Sequence, residues 1–135
     1  MSSKIEPRDV GAEQVAHTFW DYLGCELVRA DEHEAIVHLH AKEHHLNMMG
    51  IVNGGVLASL LDNTMGVVAM EARPGKQVVT SNLNLNYLRP MPLGRLEVRA
   101  HIVHQTRRML TIQGDVQDEQ GNVGTIATAT FCVKS

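Results

Sequence analysis

The segment NMMGIVNGGVLASLLDNTMG, residues Asn47 to Gly66, joins a glycine pair to a long apolar run. Asn53 is a good helix N-cap residue, and Gly54 and Gly55 leave the first-turn amides uncovered by side chains. Apolar residues then recur at helical spacing from Val56 to about Ala72. The segment therefore predicts a long, largely buried helix that opens on an asparagine and two glycines.

The rest of the chain is dominated by strand patterns. A first helix is predicted from about Ala12 to Tyr22, and two strands flank the polar turn Asp31-Glu32-His33. Alternating apolar residues predict four more strands after the long helix, in VVTSNLNLNYLRP, RLEVRAHIVH, MLTIQGDVQD and VGTIATATFCV. In the first of these, Val79, Leu83, Leu85 and Tyr87 are expected on one face. One long helix among strands favours an α+β domain with a mainly antiparallel sheet.

Composition narrows the class of protein. A length of 135 residues with 44% apolar residues fits a single domain spanning residues 1–135. The net charge of −3 argues against a nucleic-acid partner, and no apolar run is long enough to span a membrane. We see no secretory signal, and Cys25 and Cys132 lack metal-type spacing, so we expect a cytoplasmic protein with reduced thiols.

The predicted helix start has a chemical interpretation. Uncovered first-turn amides carry about half a positive charge between them, which suits an anion or an oxyanion. The alternative is plain capping by Asn53, with another segment packed tightly over Gly54 and Gly55. The residues of this window leave both interpretations open.

Asp62 is the carboxylate on the predicted helix. It shares one narrow stripe with Ser59, Asn63 and Gly66, which either faces solvent or lines a cleft where a carboxylate can act as base or nucleophile. Asp62 follows Asn53 by nine residues, which is about 13 Å along a helix. One substrate carbonyl cannot touch both ends of that span, so joint action requires a second subunit.

These residues resemble a known motif. The spacing N-x-x-G-x-x-H-G-G, with an Asp or Glu seven residues after the second Gly, is similar to that of hotdog-fold acyl-CoA thioesterases of the phenylacetate-pathway branch. TSNLNLNYLRP and VQDEQGNVGTIATATF resemble two further segments of that family, so the likeness runs from about His44 to Phe131. The motif positions are held here by Asn47, Gly50, Asn53, Gly54, Gly55 and Asp62.

The resemblance implies a hotdog fold, in which a curved antiparallel sheet wraps a long helix, and a homodimer or homotetramer with sites at the subunit interface. It implies hydrolysis of an acyl-CoA to free acid and coenzyme A, with no cofactor besides the substrate. In the family pattern the Gly54 N–H holds the thioester carbonyl, and Asn47 contacts the substrate or the reacting water. Asp62 of the partner chain activates water or attacks directly, and Thr80 orients that water or carboxylate.

The chain departs from the family pattern at Asn53, where the family has His. An amide accepts and donates hydrogen bonds but does not shuttle protons as an imidazole does. If Asn53 and Gly55 only hold the substrate, a thioesterase is expected. If the His is needed for proton transfer, the chain is a non-hydrolysing acyl-thioester binding protein. A hotdog dehydratase is a third reading, and it would want a His base at this position.

Other polar residues suggest secondary sites. Arg89, Arg107 and Arg108 are expected to bind the phosphates of coenzyme A, because guanidinium groups match phosphate oxygens. The alternative for the hairpin pair is simple solvation. Eight histidines invite a metal site, but we expect none, because Cys and carboxylates at matching spacing are missing. We interpret as exposed the strand and loop histidines His38, His40, His44 and His45.

Overall fold

The computed structural model describes residues 15–134. Its elements are α1 (Phe19–Leu23), β1 (Glu26–Ala30), β2 (Glu34–Ala41), a one-turn 3₁₀ helix (Glu43–His45), α2 (Gly54–Ala72), β3 (Gln77–Tyr87), β4 (Gly94–Gln105), β5 (Met109–Gln117) and β6 (Val123–Lys134). The six strands form one antiparallel sheet in the order β1-β2-β4-β5-β6-β3, and α2 packs on it. The predicted α+β class and hotdog fold are confirmed. None of the helices in residues 15–134 has the length and apolar content that crossing a bilayer requires.

The first helix differs from its prediction. Positions 12–14 of the predicted span lie outside the described residues. Within the described part, α1 begins only at Phe19, because His17 has a φ of 65° and Thr18 acts as the N-cap. The Thr18 hydroxyl accepts a hydrogen bond from the Asp21 N–H at 3.4 Å. A continuous helix to Tyr22 is therefore wrong, since a left-handed residue cannot continue a right-handed helix.

Helix α2 follows its predicted pattern closely. Asn53 is the N-cap, and Arg73, followed by Pro74 and Gly75, ends the helix. Gly75 has a φ of 74°, a conformation that glycine adopts without strain. The residues of α2 that are buried against the sheet recur every three or four positions: Leu57, Leu60, Leu61, Thr64, Met65, Val68 and Ala69.

A row of small residues crosses the sheet under α2. Ala30 lies opposite Ala35, which lies opposite Ala100. The row continues through Gly114 to Ala127, each residue directly opposite the next. The four alanines are buried. The row therefore forms a shallow channel in the inner face of the sheet, because each member projects a methyl group or less.

Gly114 is the narrowest point of this channel. A Cβ atom built on it would lie 3.1 Å from Met65 Cε and 3.2 Å from Leu61 Cδ2 on the helix. It would also lie 3.0 Å from the backbone oxygen of Arg99. Both helix residues are fully buried. Helix α2 thus sits against the sheet at a distance that a side chain at position 114 would not allow.

We expect Gly114→Val to destabilise the protein by about 1–3 kcal/mol, because overpacking at this contact moves the helix or the neighbouring strand. Gly66→Ala is the matched control. A Cβ at Gly66 meets only Phe131 at the ordinary distance of 3.8 Å, and alanine favours helix by about 0.5–1 kcal/mol. Urea unfolding of both variants measures the difference. Equal stabilities would refute the close-contact interpretation.

Candidate active site

The start of α2 leaves one backbone donor open. The side-chain oxygen of Asn53 accepts the Gly55 N–H at 2.7 Å. The backbone oxygen of Asn53 accepts the N–H groups of Val56 and Leu57 at 3.0 and 3.2 Å. Among residues 15–134, no acceptor lies on the N–H of Gly54. The cap therefore satisfies the later amides of the first turn and leaves Gly54 able to hold a ligand oxygen.

Tyr87 explains why position 54 is a glycine. A Cβ atom on Gly54 would lie 3.3 Å from the Tyr87 ring, and the Tyr87 hydroxyl donates to the Gly54 carbonyl at 2.8 Å. The end of β3 thus lies over the helix start. The capping alternative is therefore observed, with tight packing at Gly54, and the open Gly54 amide is the group that the oxyanion alternative requires.

Asp62 and Thr80 form the polar centre of the site. The Thr80 hydroxyl donates to Asp62 Oδ1 at 2.7 Å, linking α2 to β3. Asp62 is half-buried, and Thr80 is exposed. The contact fixes one carboxylate oxygen and leaves Oδ2 as the oxygen with which Asp62 can meet a ligand or a water molecule.

A β-bulge points Thr80 at Asp62. The pairing of β3 with β6 shifts register between Thr80 and Asn82. Ser81 is the extra residue, so residues before it change face relative to those after it. Val78, rather than Val79, joins the core-facing residues of β3. The expectation that Val79 shares a face with Leu83, Leu85 and Tyr87 is wrong for this reason; those three residues after the bulge keep the predicted alternation.

Asn47 organises the loop before α2. Its side-chain oxygen accepts the Met49 N–H at 2.9 Å and the Ile51 N–H at 3.4 Å. Its backbone N–H donates to the Ile51 carbonyl at 2.8 Å. Because the oxygen serves the loop, the amide nitrogen of Asn47 is the group that can meet a ligand.

His45 is buried, with 3% of its surface exposed, so its interpretation as an exposed loop histidine is wrong. Its Nδ1 accepts the Lys42 N–H at 2.9 Å, and its Nε2 lies 2.8 Å from the Leu23 carbonyl oxygen. Because Nδ1 accepts, Nε2 carries the proton and donates. The backbone carbonyl of His45 also accepts the Asn53 N–H at 2.8 Å. His45 therefore ties the end of α1 to the cap of α2.

The other histidines among residues 15–134 lie at the surface or beside carboxylates. His38 and His40 lie 3.0 and 3.1 Å from Glu97 and Glu26, and His38 is half-buried, not exposed as expected, because it packs beside Glu97. His44 is exposed. Across residues 15–134, no group of three or more His, Cys, Asp or Glu side chains could hold a metal ion.

The polar stripe of α2 divides around the helix. Asp62 faces β3, whereas the amide of Asn63 donates to the Cys25 sulfur at 3.6 Å. Burial raises the pKa of the Cys25 thiol to about 11, so it remains protonated at neutral pH. Cys25 and Cys132 are both free thiols. The half-buried stripe is thus neither fully solvated nor part of the core.

The three arginines that were expected to bind phosphate do not lie together. The Arg89 N–H approaches the Gly124 carbonyl at 3.3 Å, near the start of β6, whereas the Arg108 carbonyl accepts the Val133 N–H at 2.8 Å, near its end. Nine residues of strand separate these points, a distance of about 30 Å. Within one subunit, Arg89 therefore cannot contact the same phosphate group as Arg107 and Arg108.

The fold and this helix-start site define a hotdog-type protein, and comparison with known proteins gives its family. Residues 49–125, more than half of the chain, match the model of the Thioesterase superfamily. The human acyl-coenzyme A thioesterase 13 is 27% identical over 106 residues, which cover 77% of this chain and 76% of that protein. The chain therefore belongs to the thioesterase superfamily and is a hotdog thioesterase of the PaaI type. Proteins of this class hydrolyse thioesters.

Solved structures agree with this assignment. A mutant of the phenylacetic acid degradation protein PaaI from Thermus thermophilus is 29% identical, with a TM-score of 0.79, over 84% of this chain and 96% of that one. The thioesterase HI1161 from Haemophilus influenzae has a TM-score of 0.89 over 97% of this chain and 92% of that one. At 20% identity, that second likeness concerns the fold alone.

We expect His45→Leu to destabilise the protein by about 1–3 kcal/mol, because it removes the partner of the Lys42 N–H and the partner of the carbonyl of the buried Leu23. His45→Gln keeps one donor and one acceptor and should recover part of the loss. His44→Gln, at the exposed neighbour, should stay within about 0.5 kcal/mol of the wild type. Urea unfolding measures the free energy of unfolding of all three variants. A His45→Leu variant as stable as His44→Gln would contradict the buried-link interpretation.

Proposed function

We propose that the protein hydrolyses acyl-CoA thioesters to a free acid and coenzyme A. The observation that carries the proposal is the Asp62–Thr80 hydrogen bond on the same helix whose start presents the open Gly54 N–H. A carboxylate held by one oxygen and an unpaired helix-start donor are the two groups that thioester hydrolysis needs. The name of the human relative, an acyl-coenzyme A thioesterase, supports the choice of thiol.

In the proposed reaction, Asp62 Oδ2 takes a proton from water while the water oxygen bonds to the thioester carbon. The carbonyl oxygen becomes an oxyanion, which the Gly54 N–H and the positive end of the helix stabilise. The intermediate collapses, the carbon–sulfur bond breaks, and the thiolate leaves and takes up a proton. Thr80 keeps Asp62 oriented. Direct attack by Asp62 would instead form an anhydride, which water then cleaves.

The two groups belong to different subunits in this proposal. Gly54 and Asp62 are eight residues apart, about 12 Å along α2, which is too far for one carbonyl. Within residues 15–134, β3 pairs on one side only, and its end carries the exposed Tyr87 and Leu88. An open strand edge with apolar neighbours suits pairing with a second copy. A homodimer or homotetramer would bring the Asp62 of one chain to the Gly54 of another.

Asn53 has a supporting role in this proposal. Its side-chain oxygen caps the Gly55 N–H, a task that its amide performs without titrating. In this proposal the amide nitrogen of Asn53 and the backbone of Gly55 help to hold a substrate bound at Gly54. Proton transfer is assigned to Asp62, so no imidazole at position 53 is required.

The second candidate is an acyl-thioester binding protein without hydrolysis. The observation that favours it is the amide of Asn53 at the position where the resembling family has His. A thiol-release assay across acyl-CoAs of different chain length and aromatic character distinguishes the two. Turnover by the wild type supports the thioesterase; turnover only after Asn53→His supports the binder.

We expect Asp62→Asn to lower kcat by about 10²–10⁴-fold, because it keeps the shape of the side chain and removes the base. Adding Asn63→Asp to the Asp62→Asn variant moves the carboxylate one residue along the helix. It should not restore kcat, because position 63 faces Cys25. The thiol-release assay measures both, with circular dichroism as a check on folding. A folded Asp62→Asn variant with unchanged kcat would exclude Asp62 from the chemistry.

The Gly54 donor can be removed without removing the helix. Proline is favoured at the first helical position, and Asn53 already has the extended ψ of 135° that a following proline prefers. We expect Gly54→Pro to lower kcat by about 10²–10³-fold. Gly54→Ala adds the same contact with Tyr87 but keeps the N–H, so it should retain most activity. Equal losses in the two variants would mean that steric contact matters and the donor does not.

Mixing the two inactive variants tests the shared site. In a heterodimer of Gly54→Pro and Asp62→Asn chains, one site combines the intact Gly54 with the intact Asp62, and the other site carries both changes. Unfolding, mixing and refolding should restore activity well above either parent. Activity that never rises on mixing, although heterodimers form, would place the whole site in one chain.

A further inference from the structure

Tyr87, the last residue of β3, contacts the first turn of α2 through its side chain. Its hydroxyl donates to the Gly54 carbonyl at 2.8 Å. Its Cζ, Oη and Cε1 atoms lie 3.3 to 3.5 Å from the position that a Cβ atom on Gly54 would take. The proposed reaction uses the N–H of Gly54 and gives Tyr87 no task. The hydroxyl therefore contacts the residue that supplies the donor, but through its carbonyl, so the donor itself stays open.

Two consecutive peptide units meet at Gly54, and hydrogen bonds hold both of them. The first unit contains the Asn53 carbonyl and the Gly54 N–H, and two N–H groups of the first helical turn donate to that carbonyl at 3.0 and 3.2 Å. The second unit contains the Gly54 carbonyl and the Gly55 N–H. Tyr87 donates to its carbonyl, and the Asn53 side-chain oxygen accepts its N–H at 2.7 Å. Tyr87 thus adds a contact from outside the helix start.

A glycine pair at the start of a helix gains much from such a contact. Glycine loses more backbone freedom on folding than any other residue, so Gly54 and Gly55 weaken the first turn. Rotation about the backbone of Gly54 would change the direction of its N–H. An oxyanion donor works at about 2.7–3.1 Å from the oxygen that becomes charged, and a misplacement of about 1 Å can cost about 10²-fold in rate. A hydrogen bond at the Gly54 carbonyl limits that rotation.

The backbone around Tyr87 is itself fixed relative to the helix start. Directly after Tyr87, the Leu88 N–H donates to the Gly124 carbonyl at 2.8 Å. The buried Met91 covers Gly124 so closely that a Cβ atom there would overlap the Met91 sulfur. The Met91 carbonyl in turn accepts, at 3.0 Å, the N–H of Val52, which precedes the helix. The segment after Tyr87 is therefore joined to the segment before α2, and the hydroxyl donates from a fixed position.

We propose that Tyr87 is a positioning residue for the oxyanion donor: its hydroxyl holds the Gly54 carbonyl and thereby fixes the direction of the Gly54 N–H. This inference rests on the proposed function. Because the oxyanion develops only as the reaction proceeds, the hydroxyl should contribute to kcat and not to substrate binding. Thr80 has the same relation to Asp62, so Thr80 and Tyr87 would hold the two groups of the reaction from one strand.

Tyr87→Phe keeps the ring and removes the hydroxyl. It should lower kcat about 2- to 10-fold, the loss expected for one neutral hydrogen bond of about 0.5–1.5 kcal/mol, and leave KM unchanged. Tyr22→Phe is the matched control, because Tyr22 is the other tyrosine of the chain and is 80% exposed. It should change neither constant in the thiol-release assay. Unchanged kcat in Tyr87→Phe would overturn the inference, whether or not KM rises.

A double-mutant cycle separates positioning of the donor from a merely structural role. In the Gly54→Pro background the donor is absent, so adding Tyr87→Phe should cause no further loss of kcat. The same fold loss in the wild-type and Gly54→Pro backgrounds would overturn the inference, since the hydroxyl would then act independently of the donor.

Nuclear magnetic resonance relaxation gives a readout without turnover. The order parameter of the Gly54 N–H should be about 0.85, the value of a rigid backbone, and should fall in Tyr87→Phe but not in Tyr22→Phe. An unchanged value in Tyr87→Phe would overturn the inference and leave the proposed function intact. If no thioester is hydrolysed, the proposed function fails, and the order parameter alone decides whether Tyr87 positions the donor.

Discussion

The close contact between α2 and the sheet is the constraint on which the rest of the structure depends. Leu61 and Met65 press onto Gly114, in a row of alanines that crosses five strands. A helix that lies this near the sheet has its position fixed by hard contacts rather than by a layer of adaptable side chains. The position of Asp62, one residue beyond Leu61, is therefore set by the core.

The two polar contacts of the site follow from that placement. Because the helix lies close to the sheet, Thr80 on β3 is near enough to hydrogen-bond Asp62 directly. Tyr87, at the other end of the same strand, lies over Gly54. One edge strand thus contacts both the middle and the start of the helix. A displaced helix would separate both pairs together, so the packing of the core and the geometry of the chemistry are coupled.

Sequence patterns predict the elements of this fold better than they predict its contacts. The helix over residues 54–72, its Asn53 cap and most strands are visible as periodicities of 3.6 and 2, because burial imposes those periods locally. The Ser81 bulge is hidden, since Thr80, Ser81 and Asn82 are all polar and no apolar residue marks the change of face. His45 is hidden because its two partners lie on other segments.

The cavity lined by Arg73, Lys76, Arg107, Arg108 and Lys134 shows the same limit of sequence patterns. Its cations come from four elements that are far apart in the chain, and only the Arg107–Arg108 pair is recognisable as a cluster in the sequence. Arg89 seemed equivalent to that pair by residue type, yet it lies near the opposite end of β6. Residue type indicates what a side chain can bind, whereas strand register determines which side chains can bind the same ligand.

The bulge in β3 also determines how the site responds to a change in the length of the strand. With Ser81 as an extra residue, Thr80 lies opposite Phe131 and its hydroxyl faces the carboxylate; in a regular strand of the same length Ser81 would take that position. The second half of the strand, which ends at Tyr87, would keep its register with β6 in either case. Deletion of Ser81 would therefore leave Thr80 opposite Phe131 with its hydroxyl beside Asp62, and it would leave the helix start untouched.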